Sequence, residues 1–205
     1  MPRPALQIVP SPTRWTDLVA PVRLELLEAM RLIAPCSVKD IAQALDRPAD
    51  TLYRHIAKLV AAGAVVEAKV RRSGRRFERV YDLAADDFRP GFKDARGGAA
   101  NKACNDTIQS IVKIASRTAR DSARASELIG AGDGRNIVGK IEHAWLSPAE
   151  FAEVREMMMR VKDYMDARKG RREGRLYLAA VIALPVTRKR GAQRAEPVTK
   201  KGGRK

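Results

Sequence analysis

The sequence predicts a mainly α-helical protein with a small β component: a winged helix-turn-helix, then a long helix, then a small strand-helix-strand unit. Three observations lead there. Amphipathic segments separated by breakers fill the stretch before Gly63, an arginine-tipped and valine-rich hairpin follows directly, and apolar residues then step by three and four from Cys104 to Ile129. With 205 residues, the chain has room for one large domain or two small ones. We divide it into a flexible N-terminus (1–12), a winged helix-turn-helix (13–88), a C-terminal helical α+β dimerisation or effector domain (92–186) and a disordered basic tail (187–205).

Each element has its own justification. From Trp15 to Ile33, the residues Leu18, Val22, Leu26, Leu27, Met30 and Ile33 share one helical face, and Pro35 closes that helix. Ser37 is a good cap for a second, short helix carrying Val38, Ile41, Ala42 and Leu45. The run Asp46-Arg47-Pro48-Ala49-Asp50 breaks it. Leu52, Ile56, Leu59 and Val60 then share a face until Gly63 ends the third helix, expected over about 49–62. Two helices joined by so tight a link are the layout of a helix-turn-helix.

If Leu52, Ile56 and Leu59 point inward, the 100° step sends Asp50, Thr51, Arg54, Ala57 and Lys58 outward, with Tyr53 and His55 on the flanks. Arg can pair with guanine edges, and Thr, Tyr, His and Lys reach bases or phosphates. Asp50 would repel phosphates unless it caps the helix. Behind it, Ala64 to Arg71 and Arg76 to Leu83 read as strands around the turn Arg72-Ser73-Gly74-Arg75. That makes a wing over about 65–83, with Arg71, Arg72, Arg75 and Arg76 clustered at its tip for phosphate contact.

The span 18–83 resembles the ArsR-type winged helix-turn-helix of prokaryotic transcription regulators. The resemblance rests on Leu18-Val-Ala-Pro-Val-Arg-Leu-Glu-Leu-Leu27, Ser37-Val-Lys-Asp-Ile-Ala-Gln-Ala-Leu45, Thr51-Leu-Tyr-Arg-His-Ile-Ala-Lys-Leu59, Gly63-Ala-Val-Val66 and Tyr81-Asp-Leu83. It implies DNA binding, dimerisation and regulation of transcription, with Thr51, Tyr53, Arg54 and His55 where the family's recognition helix meets DNA. Tyr53 stands where the family often has Ser. The paired cysteines or His and carboxylate clusters of the metal-sensing members have no counterpart here.

In the second half, Phe88-Arg-Pro-Gly91 reads as a domain boundary. A helix over 99–129 carries a seam through Cys104, Ile108, Ile111 and Ala115, poor in bulk and in need of a neighbour, which we assign to a homodimer interface. Ile137 to Leu146 reads as a strand. Ser147-Pro-Ala-Glu150 is a capping box before a helix burying Phe151, Val154, Met158, Val161 and Met165, and Leu176 to Val186 reads as a buried strand. Met157, Met158, Met159 and Trp145 fit core positions better than a ligand pocket.

Composition supports the same picture. Forty Lys and Arg against 24 Asp and Glu give a net charge of +16, which suggests a polyanionic partner. The excess is local: eight basic residues and one acid lie in 187–205, and six basic residues and two acids in 65–80. No run of apolar residues reaches the roughly 18 a membrane helix needs, and the proline-rich start fits no signal peptide. A cytoplasmic, nucleoid-associated protein is expected. Two cysteines make no disulfide framework or zinc ribbon. Gly134-Arg-Asn-Ile-Val-Gly139-Lys140 resembles a P-loop but offers Ile141 where a hydroxyl must bind magnesium. No base stands near Cys36 or Cys104, since His55 lies on the basic face and His143 in the expected strand.

We therefore expect neither catalytic residues, nor a metal site, nor a cofactor. The expected partners are double-stranded DNA, a second copy and possible small-molecule effectors. The alternative is an architectural or protein-interaction winged helix whose tail binds nucleic acid without sequence preference.

Overall fold

The computed structural model describes residues 3–73, 76–171 and 173–186, with the backbone alone of Ser73 and Arg76. Strand β1 (Leu6–Val9) is followed by α1 (Pro12–Val19), α2 (Pro21–Ile33), β2 (Cys36–Ser37), α3 (Val38–Ala44), α4 (Ala49–Ala61), β3 (Val65–Ser73), β4 (Arg76–Leu83), β5 (Asp87–Pro90), α5 (Gly98–Arg124) and α6 (Pro148–Asp166). This is a winged helix followed by a long helix.

The helix expected over Trp15 to Ile33 is two helices. Ala20 leaves the helical region with ψ of 140°, and Pro21 starts α2 at its first turn, where a missing N–H costs nothing. The fold of the helix-turn-helix is written in its caps. The Ser37 side chain accepts from the Asp40 N–H while Asp40 accepts from the Ser37 N–H, a reciprocal box that starts α3. Both later helix ends are Schellman turns. Asp46 takes φ of 49° after α3, with Arg47 N–H bonded to the Ala42 carbonyl. Gly63 takes φ of 75° after α4, with Ala64 N–H bonded to the Leu59 carbonyl. Asp50 is not the cap of α4: Pro48 holds that position, and Asp50 lies exposed in the first turn.

The core gathers α1 to α4 and the sheet around Leu18, Leu26, Met30, Ile41, Leu52, Ile56, Leu59, Val65 and Leu83, all buried. Strand order is β2-β4-β3, antiparallel throughout; the two-residue β2, absent from the sequence reading, pairs Cys36 with Tyr81. A bulge between Glu67 and Lys69 shifts the β3–β4 register, so Arg72 faces Phe77 and Arg71 faces Glu78.

Three further expectations change. Residues 6–9, expected in a flexible N-terminus, form β1, parallel to β5 from Leu6–Asp87 to Val9–Pro90. Phe88, the last residue of the expected first domain, lies in the core. Second, α5 ends at Arg124 rather than Ile129, since Ser126 turns left-handed at φ of 56°. Third, Ile137–Leu146 and Leu176–Val186 form no strand, and α6, correctly capped by Ser147 and Glu150, buries no side chain. Trp145 and Met157 are exposed and Met158 and Met159 half-buried, so the core reading of that group fails.

Candidate nucleic-acid interface

The α4 helix exposes one face because the other is anchored. Leu52, Ile56 and Leu59 are buried, and Asp50, Thr51, Tyr53, Arg54, Ala57 and Lys58 are exposed. The Thr51 hydroxyl donates to the Pro48 carbonyl at 2.8 Å, which leaves its lone pairs and methyl group outward. Tyr53, Arg54 and Lys58 thus share the free face expected of them.

His55 departs from that group. It is half-buried, and its Nδ1 is buried without a hydrogen-bond partner. Burial, then the nearby cations Arg54, Arg23, Lys58 and Arg47, push its pKa below the usual histidine value. A neutral ring at the base of the helix is the result.

The wing divides its arginines. Arg71 Nη2 reaches Asp40 Oδ2 at 2.8 Å and Oδ1 at 3.0 Å, and Glu78 at 3.3 Å, and it also donates to the Ser37 hydroxyl. Burial raises the Asp40 pKa, but bonds from Ser37 and Arg71 outweigh it and hold the carboxyl below its ordinary value. Lys39 adds a 2.6 Å pair to Glu78. Arg71 therefore ties the outer half of the wing to the first turn of α3. The Arg72 side chain is exposed. Arg75 and the basic tail, both expected to meet phosphates, lie outside the described residues, as does the side chain of Arg76.

Beneath this surface lies a clamp the sequence reading missed. Glu25 of α2, nearly buried, pairs with Arg47 at 2.8 Å in the turn before α4, and with Arg117 of α5. The Trp15 indole N–H donates to the Thr107 hydroxyl at 2.9 Å, and Thr107 in turn donates to the Ala103 carbonyl. Ala100, Ala103 and Ser110 are buried, so α5 packs on α1 and α2 through small residues. The predicted seam lies one residue round: Cys104 is exposed, and Ile108, Ile111 and Ala115 are half-buried. A Trp needing an indole partner and a 100-103-107-110 row of small residues were the available signals.

Burial, followed by Asp40 and Asp82, pushes the Cys36 thiol up to about 12, which leaves it protonated and poorly nucleophilic. His143 is exposed in a loop rather than a strand. Among the described residues no cluster of His, Cys, Asp or Glu could hold a metal ion, and no helix is long and apolar enough to cross a membrane.

A helix-turn-helix domain model matches residues 18–68. The match runs from the end of α1 through α2, α3 and α4 into β3, so it covers the elements that build the exposed α4 face. No relative is found among curated proteins. The chain carries a helix-turn-helix domain, a module through which regulators bind DNA.

Proposed function

We propose that this protein is a DNA-binding transcription regulator that acts as a homodimer, with α4 entering the major groove and the β3–β4 wing following the phosphate backbone. The observation that carries the proposal is the free α4 face, where Tyr53, Arg54 and Lys58 are exposed opposite a fully buried apolar stripe, beside an arginine-rich hairpin. Arg54 reads a base edge, and Thr51, Tyr53 and Lys58 complete the contact. Arg72, Arg75 and Arg76 hold phosphates. His55 and Arg71 serve the reading differently, His55 as a neutral support under α4 and Arg71 as the anchor of the wing.

Dimerisation is supported by the half-exposed seam of Cys104, Ile108, Ile111 and Ala115 on α5, and by the unburied apolar residues beyond it. One winged helix reads only a half-site, and a two-fold pair reads both. The direct test is Arg54→Ala in a titration of the chain's own upstream DNA against scrambled competitor. Specific affinity should fall by about 1–3 kcal/mol while nonspecific affinity holds. Equal wild-type affinity for both DNAs would overturn sequence reading by α4.

A further inference from the structure

The wing carries a residue that phosphate contact does not require. Phe77 of β4 is 78% exposed, the most exposed large apolar side chain among the described residues up to Arg124. By register, Phe77 faces Arg72 across the hairpin and Val70 faces Arg79, so the pleat puts Val70, Arg72, Phe77 and Arg79 on one face. The opposite face carries Arg71 and Glu78, which are tied to α3 through Asp40 and Lys39. The hairpin is thus anchored by one face and carries, on the other, an aromatic ring beside Arg72 and Arg79, the latter paired with Glu67 at 3.4 Å.

A scattered exposed apolar residue is ordinary on a protein surface. Phe77 is not scattered: it sits in a stretch, 71–79, that contains five arginines. A protein partner for this ring would have to be strongly acidic, whereas duplex DNA meets both features at once. Its minor groove attracts arginine, and its base steps accept apolar wedges that partly unstack them and bend the duplex.

We propose that Phe77 is such a wedge: it enters the minor groove beside the α4 site while the neighbouring arginines hold the flanking phosphates, and it selects sites with an easily unstacked pyrimidine–purine step. This inference rests on the DNA-binding reading above. It adds a specificity determinant that base contacts by α4 do not supply.

The test uses the full chain and a 30-base-pair duplex that the wild-type protein selects from a randomised pool, examined by titration and by a circular-permutation bending assay. Phe77→Ala should bind about tenfold more weakly and lose most of the bend, whereas Phe77→Leu should keep both. The slope of log affinity against log salt should not change in Phe77→Ala, because a ring releases no counterions. Replacing the pyrimidine–purine step by an A-tract should weaken the wild type and leave Phe77→Ala unaffected. Wild-type affinity and bending in Phe77→Ala would overturn the wedge and leave DNA binding standing. A flattened salt slope in that variant would also overturn it, by showing that the ring only positions arginines. Failure of the wild type to select any duplex would overturn both readings.

Discussion

Residues 3–124 and residues 127–186 are both rich in apolar side chains, yet only the first region closes a core. In the first, Leu26, Met30, Ile41, Leu52 and Leu59 are fully buried. In the second no described residue is buried, and Trp145 and Ile141 stand 78% and 86% exposed. The difference lies in facing surfaces rather than in hydrophobicity. Each apolar stripe in the first region meets another at helical or strand spacing, whereas α6 and the turn after it touch the winged helix through charges, Lys162 to Asp87 and Lys169 to Glu28, both at 3.5 Å. Surface pairs of this kind contribute only about 0–1 kcal/mol each. An apolar surface left so open is expected where another chain covers it.

The contrast can be broken most forcefully in the core. Leu52→Ala should destabilise the winged helix by about 2–5 kcal/mol in urea unfolding. Ile141→Ala, measured at dilution, should change stability by less than about 0.5 kcal/mol. Comparable losses would show that the second region has a core of its own.

Next in size is the seam. Changing Ile108 and Ile111 together to Asp puts carboxylates where a partner helix would bury them, at a cost of several kcal/mol. Sedimentation should then show folded monomers with weak affinity for a full operator. Global unfolding would assign the seam to the first region's own core, and an unchanged dimer would remove it from the interface.

Asp40→Ala sharpens the comparison within the first region, because it removes the α3 capping box and the anchor of Arg71 at once. We expect a loss of about 1 kcal/mol, and faster amide exchange in β3 and β4 than in α4. Uniform exchange would mean that the wing does not depend on this carboxylate.

The smallest effect concerns His55. Its folded pKa lies below the reference of 6.5, so the unfolded chain takes up the proton first. The stabilising contribution is complete above pH 6.5 and declines as pH falls below it. Urea midpoints measured from pH 7.5 to 5 should therefore fall more in the wild type than in His55→Gln. Parallel curves would place the ring in solvent.

How much of this was legible depends on the range of the interaction. The helix-turn-helix announced itself because its signals are local: Ser37 as a cap, Gly63 at the helix end, Leu52, Ile56 and Leu59 at one spacing. Strand β1 was hidden because its partner β5 lies some eighty residues away and its flanks are prolines. On α5 the bulk of Ile108 and Ile111 drew attention away from the internal contact, which is made by the small Ala100, Ala103 and Ser110 because close helix approach favours them. The exposed α4 face was readable by angle alone. The diversion of Arg71 to Asp40 was not, because 31 residues separate the two. The apolar runs at 137–146 and 176–186 have the composition of strands, but a run becomes a strand only when another backbone pairs with it.

The Glu25 clamp has a mechanical consequence. By holding Arg47 in the turn before α4 and Arg117 about three-quarters of the way along α5, one carboxylate links that turn to the long helix. With 27 residues, α5 is about 40 Å long. A tilt of only about 5° at one end displaces the other by about 3.5 Å, close to the rise of one base pair. In the dimer proposed above, paired along α5, the angle of that helix would set the distance between the two α4 helices, so that a change too small to disturb either core would alter their spacing on DNA.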